Sequence, residues 1–523
     1  MSRPVRRSRK RPPRLPVSAL LRAARRAGAG LGLLLGACAV GPDYAPPPVA
    51  SAPSFAASGP FDTDAPLLDW WQVLGDDNLT ALVRRATGGA NLDLRSAQAR
   101  IRQARAELGA AGAAGEPTVA ASAQVSRDRY SRDSELYANL PFPNPLVQFT
   151  DWRAGFDASW EIDLFGHVSR GVEAAGARVQ AAVAEARDVR ISVAGEVARL
   201  YVQLREYEQQ LQLADADRAA LEDIPRLVQL RLEAGNASAL ELRQARADAD
   251  AQAAVVAGLV ADRAATLDAL AVVVGVAPAE AGGLIEAGRP VPAVHAERIA
   301  VGLPSALLLR RPDVRRAERE LAAATADIGV ATADLYPRFE LVGNFGVDTV
   351  QPGEFGQRAS RTWSLAPQLY LPVLGRGRLT SAVSAREAAR DAALSAYQKS
   401  VLTALSDVEA AMVRFDRGRE RLATLQRAWQ GLEERAALVR EQHAAGRASS
   451  IEVLLAERQA RLMREQLSDA GAQLAVELVA LFKALGGGWS QNDVPAAGAL
   501  QDGAQGLAAR ALTPRLAPGP ARG

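Results

Sequence analysis

A set of short patterns recurs once each along this chain, in the same order and at nearly one spacing. Leu108-Gly109 and Glu116-Pro117 return as Ile328-Gly329 and Tyr336-Pro337, and Leu164-Phe165-Gly166 returns as Val373-Leu374-Gly375. Ala234-Gly235-Asn236-Ala237-Ser238-Ala239-Leu240-Glu241 returns as Ala445-Gly446-Arg447-Ala448-Ser449-Ser450-Ile451-Glu452. Chance could supply one such match, but the ordered set indicates duplication of a unit of roughly 210 residues. The repeats are expected over 67–285 and 286–489. An extended arm rich in Pro, Ala and Ser precedes them over 38–66, and a disordered Ala-, Gly- and Pro-rich tail follows over 490–523.

Each repeat reads as helix, two strands, then a long helical hairpin. Over 152–164, Trp152, Ala154, Phe156, Ala158, Trp160, Ile162 and Leu164 alternate with Arg153, Gly155, Asp157, Ser159, Glu161 and Asp163. Such a run of period two does not suit a helix, whose face repeats every 3.6 residues. The counterpart, about 361–374, puts Trp363, Leu365, Leu369, Leu371 and Val373 on one face, against Ser364, Gln368 and Tyr370. Partner strands are expected at about 117–128 and 337–348, with polar loops at about 131–150 and 349–361. Strands of this length suit a tilted membrane crossing, which takes about 9–11 residues. So few strands cannot close a barrel, so their apolar faces make sense in lipid only if several chains pool them and leave no open edge.

The helical hairpins are expected over 167–275 and 376–485. Val193, Val197, Leu200, Leu204, Tyr207 and Leu211 form a narrow apolar seam of coiled-coil type. Val401, Leu405, Val408, Met412 and Phe415 repeat it, as do Leu474, Leu478, Leu481 and Leu485. At about 1.5 Å per residue each rod is on the order of 100 Å long, and Pro225 is where the first should bend. Gly235 and Gly446 stand where a helix end wants a left-handed residue. Ser238 and Ser449 follow, and with Glu241 and Glu452 they make S-x-x-E capping boxes for the returning helices. These residues mark two tight hairpin tips. Arg310-Arg311-Pro312-Asp313 reads as a helix start with Pro312 in its first turn, and no ligand is assigned to it.

The pI of about 9.1 invites a nucleic-acid reading, but the basic charge is local. Ten of the 62 basic residues fall in 1–37, which has no acid; without them 52 bases face 59 acids, a net of about −7. Nucleic acid is therefore not expected as a partner. Those basic residues precede an apolar run, Ala27 to Ala37, too short to span a bilayer. The run ends at Leu35-Gly36-Ala37-Cys38, and Cys38 is the only cysteine. This layout reads as a signal peptide over 1–37 whose lipobox cysteine becomes the lipidated first residue. Ala39 follows it, rather than an Asp.

Catalytic patterns are missing. His167, His295 and His443 are scattered at no metal-ligand spacing, and no G-x-S-x-G, H-E-x-x-H, P-loop or paired-cysteine motif occurs. Enzymatic activity and cofactors are not expected. Two further readings stay open: a duct for type I protein secretion, and a non-channel coiled-coil lipoprotein bridging envelope layers.

The chain resembles the TolC-like outer-membrane efflux proteins, in the lipoprotein (NodT/OprM-like) branch that serves resistance-nodulation-division pumps. The resemblance rests on Gly41-Pro42-Asp43-Tyr44, on residues 156–166 from Phe156 to Gly166, and on Leu309-Arg310-Arg311-Pro312-Asp313-Val314. It also rests on Ala326-Asp327-Ile328-Gly329-Val330-Ala331, Tyr336-Pro337-Arg338 and Ala484-Leu485-Gly486-Gly487-Gly488-Trp489. It implies a fold mainly α with membrane β: a homotrimer with a twelve-stranded barrel and a periplasmic helical tunnel. It further implies a passive exit duct in the outer membrane for drugs or other toxic compounds. The duct would dock through a periplasmic adaptor, with contacts at Gly235, Ser238, Gly446 and Ser449, to an inner-membrane transporter. Cys38 would carry the lipid that joins it to the outer membrane. The resemblance places a periplasmic gate at the second hairpin, with Glu452 at one of its acidic positions. Leu455 occupies the other, so this chain departs from a double acidic ring.

Overall fold

The computed structural model describes residues 39–48, 53–64, 67–129, 131, 148–286, 288–294 and 298–489. Cys38 with the leader, His295, the tail from 490 and most of the loop expected at 131–150 lie outside them. In chain order the elements are β1 (Phe61–Asp62), α1 (Asp77–Arg85), α2 (Leu92–Ala113), β2 (Thr118–Arg129), β3 (Gln148–Ile162), α3 (His167–Glu233) and α4 (Ala239–Val274). There follow β4 (Ile299–Ala300), α5 (Pro304–Arg310), α6 (Pro312–Ala333), β5 (Arg338–Thr349), β6 (Arg361–Tyr370), α7 (Arg376–Ala444) and α8 (Ser450–Ala484). No described helix is long and apolar enough to cross a membrane.

The chain divides into two compact units that cut across the repeats, because each repeat gives a strand pair to one and most of a helical hairpin to the other. The first unit spans 39–44, 108–175 and 322–390 among the described residues. Its sheet runs β2-β3-β5-β6, antiparallel throughout, so the two strand pairs join through β3 and β5. The register stacks Ala121, Phe156, Phe345 and Trp363 in one row and Ala158, Gly343 and Leu365 in another. Directly paired residues share a face, so the apolar side chains of all the strands lie together. Trp363 is 75% exposed and Phe345 60%, so nothing among the described residues covers that face. The opposite face is small and polar: Ser122, Gly155, Gly346 and Thr362 form one row, Asp157, Asn344 and Ser364 the next. Gly155 and Gly346 touch across β3 and β5, where an added Cβ on Gly346 would stand 2.5 Å from the Ala154 carbonyl oxygen. Among the described residues the outer edges of β2 and β6 have no partner strand.

Two strands differ from the expected bounds. β3 begins four residues early, at Gln148, because Gln148–Asp151 pair with Ser126–Arg129. It ends at Ile162, since the Leu164 N–H donates to the Ile162 carbonyl at 2.9 Å and turns the chain. β6 stops at Tyr370 rather than 374: Pro372 has no N–H to give a ladder and restricts Leu371 before it.

The second unit holds the helical core. Val193, Val197, Leu200 and Leu204 of α3 are buried with Val408, Met412 and Phe415 of α7 and Leu474, Leu478 and Leu481 of α8. The seams of both repeats thus close on one another, each large side chain contributing about 1.5–3 kcal/mol by leaving water. Trp70 stacks on Phe482 with centroids 5.5 Å apart. Part of the arm is docked rather than free. The Ala56 and Ala57 N–H groups donate to Glu409 at 2.6 and 2.9 Å, and Phe61 approaches Phe415 at 6.4 Å. Pro225 lies inside an unbroken α3; its neighbours Leu221, Ile224 and Val228 are buried in a common cluster, and that packing offsets the backbone hydrogen bond the proline lacks. Pro312 opens α6 as expected, and Arg311 ties its start to the Ala484 carbonyl at 3.1 Å and to Asp407 at 3.1 Å.

Candidate gate and hairpin tips

Both tips are built by the capping residues the sequence displays. Gly235 (φ 77) and Gly446 (φ 70) end α3 and α7 in the left-handed region, with open space around each. The Asn236 N–H reaches the Arg231 carbonyl at 2.7 Å and the Arg447 N–H reaches Gln442 at 2.8 Å, satisfying carbonyls the helices leave bare. Ser238 caps α4: its hydroxyl accepts from the Glu241 N–H at 3.2 Å, while its own N–H donates to the Glu241 carboxylate at 2.6 Å. Ser449 and Glu452 repeat the box on α8 at 3.3 and 2.6 Å. In each, the backbone N–H of the serine holds the glutamate carboxyl below its usual range.

Glu452 and Leu455 line a groove of about 520 Å³ between α7 and α8 whose other charged walls are Arg435, Arg447 and Arg458. Glu452 is the one acid in that lining, and its carboxylate is engaged in the cap; Leu455 is 49% exposed. The groove is basic and partly apolar, which a two-acid pattern would not produce.

One tie between the hairpins has no sequence signal. Asp217 on α3 is 3% exposed and accepts from Arg458 at 3.1 Å and from Arg461 at 3.3 Å, both on α8. The partners stand more than two hundred residues apart along the chain, so no spacing betrays them. Ile451 and Leu454, on the first turn of α8, pack against the cluster of Leu221, Ile224, Val228, Leu242 and Ala245 in the first hairpin. Higher on the same helix pair, Glu206 of α3 meets Asp469 of α8. Burial first, then the Asp469 charge and a hydrogen bond with it, push the Glu206 carboxyl up to about 7. Arg421 of α7 reaches Asp469 at 3.3 Å, and Gln210 donates to Glu206 at 2.8 Å.

The histidines are not brought together. His167 opens α3 with Glu161 and Asp334 each at 3.6 Å, and the His443 ring lies 2.8 Å from the Ala448 carbonyl. Among the described residues no group of His, Cys, Asp and Glu could hold a metal ion.

The profile of the family described as Outer membrane efflux protein matches residues 87–276 and 303–487. Outer membrane protein OprJ of Pseudomonas aeruginosa is 30% identical over 491 residues, covering 92% of this chain and 98% of that protein. The probable outer membrane lipoprotein SilC of Salmonella typhimurium is 27% identical, covering 87% and 97%. Among solved structures, the outer-membrane channel OprN superposes with a TM-score of 0.78 at 31% identity, covering 86% of this chain and all of that one.

Proposed function

Because this chain belongs to the outer membrane efflux protein family, we propose that three copies of it form the sealed exit duct of a tripartite pump. That it is an outer-membrane efflux channel follows from the family. The count, the partners and the gate are our reading. The observation that carries it is the sheet: among the described residues it has one apolar face with nothing over it, one small polar face, and an unpaired edge at each side. In lipid every backbone N–H and C=O needs a partner, so β2 of one copy pairs with β6 of the next until the ring closes. The apolar rows then meet acyl chains and the Ser, Asn, Asp and Gly rows line water. A solely bridging coiled-coil protein has no use for such a sheet.

The duct is passive; a periplasmic adaptor meets Gly235, Ser238, Gly446 and Ser449 at the tips, and an inner-membrane transporter of the resistance-nodulation-division class supplies the energy. Cys38 carries the lipid. The gate is the second hairpin, held shut against the first by Asp217 and by Ile451 and Leu454; Glu452 serves it by keeping the start of α8 capped. Drugs and other small toxic compounds are the cargo. The test is single-channel conductance of the purified protein in planar bilayers, with its mass in detergent. A trimer that is nearly closed, and opens in Asp217→Ala, fits. A monomer sinks the ring, and a trimer whose conductance ignores that substitution sinks the gate.

A further inference from the structure

The residues that follow Cys38 do not behave as a tether. Ala39 to Tyr44 lie in a slot at the foot of the sheet, where β3 turns into α3. The Val40 N–H donates to the Phe165 carbonyl at 3.1 Å. Arg170, on the first turn of α3 and 7% exposed, donates back through Nε to the Val40 carbonyl at 3.3 Å and through Nη2 to Asp43 at 2.6 Å. Its remaining nitrogen, Nη1, meets Glu173 at 2.7 Å.

The slot is cut to the thickness of a bare backbone. Gly41 (φ +94) passes so close to Gly329 of α6 that a Cβ on it would stand 2.4 Å from the Gly329 Cα. A Cβ on Gly329 would strike the Arg170 side chain at 2.8 Å, and one on Gly166 would meet Ala39 at 2.9 Å. Three glycines from three elements, closed by one buried arginine, specify this path. Arginine is required there because one planar head must reach a carbonyl and two carboxylates in different directions.

The slot also has a level. The last apolar row of the sheet joins Ile162, Phe339 and Leu369. Just beyond it Phe165 stacks on Tyr336 with centroids 4.9 Å apart, the kind of aromatic pair that sits at a membrane surface. We propose that Arg170 is a positioning residue for the lipid anchor: by clasping residues 39–44 it makes the acyl chains leave the protein at the rim of the apolar belt. The proposal rests on lipidation of Cys38, one peptide bond from Ala39. Without the clasp, the next backbone groups held by a side chain among the described residues are those of Ala56 and Ala57. The lipid would then swing on a leash of up to roughly 60 Å, at about 3.4 Å per residue. With the clasp, anchor and belt are fixed to one height.

The experiment is hydrogen exchange of the 39–44 backbone in the full outer-membrane assembly, comparing wild type, Arg170→Ala and Asp43→Asn. Asp43 is 90% exposed in its side chain, so Asp43→Asn keeps the fold even if Arg170→Ala does not. The segment is expected to exchange slowly in wild type and roughly ten- to a hundredfold faster in Arg170→Ala, with a smaller gain in Asp43→Asn. β3 and α3 should stay protected in both. A segment that exchanges freely in wild type, or equally slowly in all three, overturns the clasp. The mass of the N-terminal peptide separates the two ideas: a bare Cys38 overturns the anchor and leaves the clasp to be read from exchange alone.

Discussion

The two hairpins share a plan and differ in what lies beneath their tips. The aligned repeats match Leu221, Ile224, Val228, Leu242 and Ala245 of the first with Leu432, Arg435, Val439, Val453 and Ala456 of the second. In the first, all are buried and form a cluster. In the second only Ala456 is buried, and Arg435 and Val439 line an open groove. From Asp416 to the end of α7 the one buried residue is Ala436. Burial scales with apolar area, so the first tip is held by its own core and the second mainly by what it borrows from the first. Duplication copied the caps and not the core, so the second tip has less packing of its own beneath it.

The largest effect should come from attacking the difference directly. Leu221→Ala opens a cavity in the first hairpin and should cost about 3 kcal/mol, whereas Leu432→Ala should cost less than about 1 kcal/mol. Thermal denaturation of the two variants would measure the gap, and equal losses would erase the contrast. Asp217→Ala comes next. It strands Arg458 and Arg461 and should weaken the link between hairpins by roughly 2–3 kcal/mol, less than for a wholly buried pair because both arginines are partly solvated. Faster tryptic cleavage at Arg447, with no change at Arg231, would report it. Ser238→Ala and Ser449→Ala each remove one cap at about 1 kcal/mol; exchange at the tips should rise more in Ser449→Ala, where less packing lies beneath.

The smallest effect is one of pH. Glu206 titrates in the folded chain at about 7, above the 4.5 of a free glutamate. A raised carboxyl favours the folded contact while it is protonated, so its contribution is whole below about pH 4.5 and is lost as pH rises through 7. The α3–α8 contact should therefore loosen between those limits. Glu206→Gln should flatten that slope in the melting temperature, and an unchanged slope would place its origin elsewhere.

What could be read from the chain was local. Strict alternation from Trp152 to Leu164 announced lipid-facing strands, and S-x-x-E after glycine announced both tips, because each signal is complete within a dozen residues. The bounds of β6 slipped where Pro372 interrupted a pattern whose hydrophobicity continued. The arm over 38–66 read only as extended, because Pro, Ala and Ser carry no sign of docking; its attachments are backbone groups meeting Phe165, Arg170 and Glu409. Asp217 was invisible for the same reason. Its partners are set by helix packing, and the position matching it in the second repeat is Ala428, so the repeat offers no echo.

The open edges of β2 and β6 also bear on inheritance. In a ring joined head to tail, every copy must offer two sound edges to its neighbours. A Pro placed in mid-β2 therefore does not merely disable its own chain. Co-produced with an equal amount of wild type, it would enter most of the proposed three-copy rings and leave only about one in eight wholly normal. Lesions at the sheet edges should be dominant, while those that prevent folding altogether should be recessive. Expression of one edge variant in a wild-type cell would thus reveal the ring without any structure at all.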